Sequence, residues 1–210
     1  MSKVSEAVRL YNELGRIGLI AGSSGNVSAR TKEGMAITPS GGAPGRAKAS
    51  DMARITLDGA ELNDATRSSE WAMHAAIYQA HPAAQFIVHA HADACTALAC
   101  LHQPLPAFHY MVLNFGGEDV RCAPYVTFGT PELAALAAEA MAGRSACLLA
   151  NHGMIVHGRD ADHALSQAVL LEQLCRQYLL SLAAGTPRLL TAADMAASKE
   201  RFKTYGPRAR

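Results

Sequence analysis

The sequence predicts an α/β domain, and three observations carry that prediction. Short apolar runs of β-forming residues, such as Phe86-Ile87-Val88 and Ala146 to Ala150, stop at glycine, proline or asparagine turns. Between them lie stretches of helical length whose apolar residues recur every three or four positions. The two kinds of segment are mixed along all 210 residues, with no internal repeat and no linker. One domain over residues 1–210 is therefore expected, long enough to bury a real core.

Composition narrows the function classes. Half the residues are hydrophobic and 18% are charged, and the net charge is +1 with both signs interspersed. That balance offers neither a nucleic-acid surface nor a membrane surface. No apolar run approaches the ~20 residues a membrane span requires. The first residues, MSKVSEAVRLYNELG, are charged and amphipathic without a signal-peptide core, so a cytoplasmic location is expected. Cys95, Cys100, Cys122, Cys147 and Cys175 are scattered and odd in number, with no C-x-x-C pair. They read as reduced, buried thiols.

In chain order, residues 3 to 18 place Val4, Val8, Tyr11, Leu14 and Ile17 on one helical stripe, which Gly18 ends. Gly22-Ser23-Ser24-Gly25-Asn26 is a tight turn leading into a strand around Val27. Backbone N–H groups in such a turn can cradle an anion, and the same turn can be a plain hairpin. Met35 to Thr38 reads as a strand that breaks at a second turn of this kind, Pro39-Ser40-Gly41-Gly42. Pro44 to Asp51 is a polar loop whose Arg46 and Lys48 read as solvated charges, and Ala53 to Leu57 is a strand. Residues 68 to 81 form a helix, capped by Ser68 or Ser69, with Trp71, Ala75 and Tyr78 as its buried stripe. Glu70 falls in its first turn, where a carboxylate can simply complement the helix dipole. His74, one turn on, reads as structural.

Gln85 to Asp93, QFIVHAHAD, is the stretch around which the rest is organised. On a strand, His89 and His91 emerge on one face about 7 Å apart, at ~3.3 Å of rise per residue. Two imidazoles so placed can close on one metal ion, or can be two independently satisfied strand histidines. Asp93 is expected to cap a short helix through Leu101, whereas Pro104 to Pro124, with its aromatic centre Phe108-His109-Tyr110, resists a regular reading. Thr130-Pro131-Glu132 opens a helix closed by Gly143. The strand Ala146 to Ala150 ends in Asn151-His152-Gly153, where a histidine stands either in a site or in a plain turn. A strand over Met154 to Val156, a long helix from Asp160 to Ala184 and a short one from Met195 to Lys203 complete the chain.

Seven fragments, GSSGNVSAR, ITPSG, SSEW, HAHAD, CAPYVTFGT, NHG and FKTYG, occur in this order and spacing. Together they resemble the class II aldolase/adducin family, most closely its L-fuculose-1-phosphate aldolase-like branch, over essentially the full length. The resemblance implies a three-layer α/β/α domain with a central, mainly antiparallel sheet, assembled as a homotetramer with sites between subunits. It implies that His89, His91 and His152 bind a divalent metal, usually zinc, with cobalt or manganese also accepted by three imidazoles. It makes Glu70 the catalytic acid/base. A sugar phosphate would be held by Ser23, Gly25, Asn26, Ser40, Gly41, Ser68 and Ser69, and Tyr110 would reach a neighbouring subunit's site as proton donor. Phe128 and Tyr205 fall where the family places further substrate-pocket residues.

The activity so implied is reversible cleavage of a ketose 1-phosphate to dihydroxyacetone phosphate and an aldehyde, with fuculose, 5-deoxyribulose and methylthioribulose phosphates as candidate substrates. The family's epimerases generally carry aspartate where this chain has Glu70, which favours the aldolase reading. A methylthioribulose-phosphate dehydratase and a decarboxylase of phosphorylated keto acids stand as alternatives. A silent, adducin-like structural protein does not fit, because such relatives lack the three histidines that this chain keeps together with Glu70.

Overall fold

The structure, a computed structural model, describes residues 1–204. Its strands are β1 (Asn26–Arg30), β2 (Met35–Ile37), β3 (Ala53–Ile55), β4 (Phe86–Ala90), β5 (Cys122–Ala123), β6 (Ala146–Leu149) and β7 (Gly153–Gly158). Its α-helices are α1 (Lys3–Arg16), α2 (Trp71–Ala80), α3 (Asp93–Ala99), α4 (Pro131–Ala140), α5 (Ala161–Ala184) and α6 (Ala192–Phe202). The strands form one sheet in the order β3-β2-β1-β4-β7-β6-β5. Every neighbouring pair is antiparallel except β5 with β6.

Side-chain alternation along these strands builds two cores. Val27, Ala29, Phe86, Val88, Met154 and Val156 face α1, α3 and α5. Met35, Ile37, Ala53, Ile87, Leu149 and Ile155 face α2 and α4. Helices thus cover both faces of a mainly antiparallel sheet, the three-layer arrangement that the resemblance implies. Both faces being covered explains why β4 is buried at all five positions rather than alternating. Arg30 ties the sheet to the end of α2: it donates to the carbonyls of Tyr78, His81 and Ala84 and stacks on the Tyr78 ring.

Several local expectations shift once the layers are in place. The buried side of α1 is Ala7, Leu10, Tyr11 and Leu14, while Val4 and Val8 are half-buried and Ile17 is exposed. Trp71 is only half-buried on α2, under the Arg67 guanidinium, whereas Ala75 and Tyr78 are buried as expected, together with Met73, His74 and Ile77. The serine pair does not cap α2, which begins at Trp71 with Glu70 at its N-cap position; the Ser68 hydroxyl accepts the Glu70 N–H. Nor does Asp93 cap α3. Ala92 is the N-cap residue, and the first-turn N–H groups of Ala94 and Cys95 donate at 2.9 Å to the carboxylate of Glu172, from α5. The irregular stretch after Pro104 contains a 3-10 helix, Tyr110–Phe115, and β5. Thr130 caps α4 with Pro131 in the first turn, as expected. Cys95, Cys147 and Cys175 are buried thiols; Cys122 is half-buried and Cys100 is exposed, against expectation. Among the described residues no helix is long and apolar enough to cross a membrane.

Candidate metal centre and substrate pocket

Antiparallel pairing collects the sequence motifs along the edge of the sheet formed by one set of strand ends, at the central strands β1, β4 and β7. Asn26, at the start of β1, is paired with His89, near the end of β4. Ala90 is paired with Met154, so the Asn151-His152-Gly153 turn before β7 meets the same edge. The Pro39-Ser40-Gly41 turn leaves β2 beside the start of β1, and β5 runs parallel to β6 so that Tyr125 to Phe128 arrive there too. Glu70, at the head of α2, closes over this edge from one face.

Two glycines are required by close approach. A Cβ on Gly25 would lie 2.7 Å from the His89 carbonyl oxygen, and its φ of +97° is a conformation that L side chains rarely adopt. A Cβ on Gly153 would lie 2.4 Å from the Ala90 carbonyl oxygen and 3.2 Å from both Cα and Cδ2 of His91. The turn that carries His152 relies on Asn151 at φ 51°, which asparagine tolerates better than most residues. Its side-chain oxygen accepts from the His102 ring, and His102 is left-handed as well.

His89, His91, His152 and Glu70 converge. Each offers a ligand atom, and these atoms all lie within 4.8 Å of one another. The three rings meet edge to face at centroid separations of 4.7 to 5.0 Å. His89 Nδ1 donates to the Met154 carbonyl at 2.9 Å, so in the neutral ring Nε2 carries only a lone pair. That lone pair nevertheless faces His91 Nε2 at 3.1 Å and Glu70 Oε2 at 2.9 Å. Glu70 Oε1 lies 3.4 Å from His152 Nε2 and is buried without a hydrogen bond.

Charge sharpens the picture. Burial alone would raise the Glu70 pKa, but His89, His152 and the Asn26 amide outweigh it and hold the carboxyl down at about 2. Burial lowers His91 and His152 below the usual imidazole range, His152 to about 4, with His89 adding to both. Four potential ligand atoms thus converge on one spot, with Glu70 Oε1 buried and unpaired, a donor set suited to a cation at its centre. The residues fit a divalent metal ion.

Beside this cluster lies a cavity of about 320 Å³. Ser23, Gly25, Asn26, Ser40, Gly41, Ser68, Ser69, Glu70, His91, Phe128 and His152, all singled out from the sequence, line it. His89 sits behind them, fully buried. Ser24, Pro39, Tyr125, Val126 and Asn151 also line it and were missed. Asn151 had a signal, because an asparagine before His-Gly suits a left-handed turn; Tyr125 and Val126 had none. Asn26 is not free in the cavity: its amide nitrogen donates to Glu70 Oε2 at 3.3 Å and its oxygen accepts from His74 Nε2 at 2.5 Å. Tyr110 lies apart from this cavity, half-exposed beside Met111, Arg201 and Phe202 in a second concavity. Tyr205 lies outside the described residues.

Known proteins give the same picture. Residues 5–179 match the family profile described as Class II Aldolase and Adducin N-terminal domain. Over 193 residues the chain is 45% identical to a protein of Rhodospirillum rubrum named 5-methylthioribulose-1-phosphate/5-deoxyribulose-1-phosphate aldolase, covering 92% of this chain and 87% of that one. It is 42% identical over 197 residues to L-fuculose phosphate aldolase of Escherichia coli, covering 93% and 92% of the two chains. A solved L-fuculose 1-phosphate aldolase superposes with a TM-score of 0.91 at 39% identity, covering 96% of both chains.

Proposed function

The chain belongs to the class II aldolase and adducin family and is a lyase of the aldolase kind, and we propose that it cleaves a ketose 1-phosphate reversibly into dihydroxyacetone phosphate and an aldehyde. Zinc is the proposed metal, the whole chain acts as one domain in a cytoplasmic homotetramer, and candidate substrates are the fuculose, 5-deoxyribulose and methylthioribulose phosphates. The observation that carries the reading is Glu70: a carboxylate 2.9 Å from His89 and 3.4 Å from His152 that lines a cavity shared with Ser23, Ser40, Ser68 and Ser69.

His89, His91 and His152 would hold the metal, with Glu70 within reach of it. A divalent cation bound there would supply Lewis-acid stabilisation of the negative charge that cleavage leaves on the ketone half. The residues of the chain do the rest. The turns at Ser23-Gly25 and Ser40-Gly41, with Ser68 and Ser69, bind the phosphate through hydroxyl and N–H donors. When the carbon–carbon bond breaks, its electron pair passes to the ketone half, and Glu70 carries the proton to that carbon. Tyr110 of a neighbouring subunit takes the proton from the hydroxyl that becomes the aldehyde, and returns it in the reverse direction. Phe128, which lines the cavity, is the further substrate-pocket residue, and Tyr205 is assigned the same role by the resemblance alone. Since one methylene changes discrimination by only about 1–3 kcal/mol, overlapping activity on related sugars is expected.

The test is release of dihydroxyacetone phosphate from fuculose, ribulose, 5-deoxyribulose and methylthioribulose 1-phosphates, with and without a chelator. Chelator-sensitive release is expected. With Glu70→Gln, metal should remain bound while proton exchange on dihydroxyacetone phosphate disappears. Consumption of substrate without triose phosphate would replace cleavage by dehydration or epimerisation, and unchanged exchange in Glu70→Gln would clear Glu70 of its role.

A further inference from the structure

We propose that His74, buried behind the substrate pocket and not lining it, is a positioning residue that fixes the Asn26 amide so that its NH2 end donates to Glu70. The inference rests on the reading of Glu70 as proton carrier. His74 stands one turn beyond Glu70 on α2 but does not bond to it; its ring bridges two residues of β1 instead. Its Nδ1 lies 2.7 Å from Ser28 Oγ and its Nε2 lies 2.5 Å from Asn26 Oδ1. Asn26 Nδ2 then reaches Glu70 Oε2 at 3.3 Å. Ser28 and His74 are fully buried, and Asn26 and Glu70 nearly so. Solvent therefore does not reach the Ser28–His74 bond, and the Asn26–Glu70 bond meets it only from the cavity side.

The physical reason lies in the symmetry of an amide. Its donor and acceptor ends are nearly the same size, so Asn26 could equally turn its oxygen toward the carboxylate, where two acceptors would repel in a medium of low dielectric. Only the group at the other end chooses between the two. Burial pushes His74 to about 3, so at neutral pH the ring carries one N–H. The Asn26 amide oxygen, 2.5 Å from Nε2, can only accept, which places that N–H on Nε2 and leaves Nδ1 to accept from Ser28 Oγ. Asn26 must present Oδ1 to it, and its NH2 is left facing Glu70. The Tyr78 hydroxyl stands 3.0 Å from Ser28 Oγ; with the single Ser28 proton on the Nδ1 bond, Ser28 Oγ has only an acceptor role left toward it. A core histidine that was merely satisfied by these bonds would show the same tautomer but would have no effect on turnover.

Two readouts test the inference, and the second separates these roles. In the intact wild-type protein, the ring nitrogen NMR shifts of His74 should report a neutral ring protonated at Nε2; protonation at Nδ1 overturns the inference and requires no variant. In the metal-loaded enzyme, His74→Leu should lower kcat about tenfold or more, with KM within twofold and metal content unchanged, because a misaligned proton carrier loses orientation and not substrate binding. His74→Gln, which keeps an amide donor near the position of Nε2, should recover most of the loss. Asn26→Ala should cost as much as the double variant with His74→Leu, since both act through one bond. Full kcat in His74→Leu, while Glu70→Gln has lost proton exchange, overturns the His74 inference alone. Retained exchange in Glu70→Gln overturns the reading of Glu70 and this inference with it.

Discussion

Gly153→Ala adds one methyl group outside the pocket and should cost the enzyme its metal site. The new Cβ would stand 2.4 Å from the Ala90 carbonyl oxygen, against about 3.4 Å for ordinary contact, so β4 and β7 must part by about 1 Å at the point where Ala90 pairs with Met154. The obstacle is backbone, so no rotamer change relieves it. His91, whose Cα and Cδ2 would lie 3.2 Å from the same Cβ, moves with the strand. Overpacking of this kind costs about 1–3 kcal/mol of stability, a fall in Tm of very roughly 2–12 °C for a chain of this size. The functional effect should be larger: a ~1 Å displacement of a positioned group costs on the order of 100-fold in rate. Thermal unfolding, metal affinity by chelator competition and kcat on the best ketose 1-phosphate measure the three effects. A lower Tm with unchanged metal affinity and kcat would show that the strain leaves through β7 and spares His91, refuting the role given to Gly153. No change in any of them would refute the close approach itself.

Two further outcomes follow from the structure. Replacing Glu172 by alanine removes the acceptor of two first-turn N–H groups of α3, and hydrogen bonds to a charged group are worth about 1.5–3 kcal/mol each, so the urea midpoint should fall by the equivalent of about 2 kcal/mol or more. Glu172→Gln should fall between wild type and alanine, and an unchanged midpoint would mean that solvent serves α3 as well. The second concerns acid. Burial, helped by His81, lowers His157 from 6.5 to about 4, so the unfolded chain binds a proton there that the folded chain refuses. The sign follows: this contribution to stability is intact above pH 6.5, is lost as pH falls toward 4 and changes no further below. It amounts to at most about 3 kcal/mol. Urea unfolding of wild type and His157→Gln at pH 7.5 and 4.5 measures it; an equal loss of stability in both proteins would refute the assignment.

How much of this was legible without coordinates depended on how far each residue's partner lies along the chain. Thr130 could be read as a cap because the N–H it accepts belongs to Leu133, three residues on, and the turns at Gly22 to Gly25 and Pro39 to Gly42 are equally local. The strands and helices followed from apolar periodicity, and the H-x-H pair and the Asn-His-Gly turn marked their histidines by strand geometry and by glycine, with the resemblance supplying their common role. Tertiary structure decided what periodicity cannot carry. The cap of α3 comes from Glu172, 78 residues beyond Ala94, while the nearby Asp93 does not serve. Ser68 and Ser69 look like helix caps, but α2 begins only at Trp71, which puts Glu70 at its head, against the histidine cluster. Asn26 read as one more pocket donor, and only the pairing of β1 with β4 sets it between His74 and Glu70. Local propensity acts over the few residues that one turn or one hydrogen bond spans. Which distant turns share one edge of a sheet is decided by strand order and register, and those are settled only when both faces of the sheet are buried together.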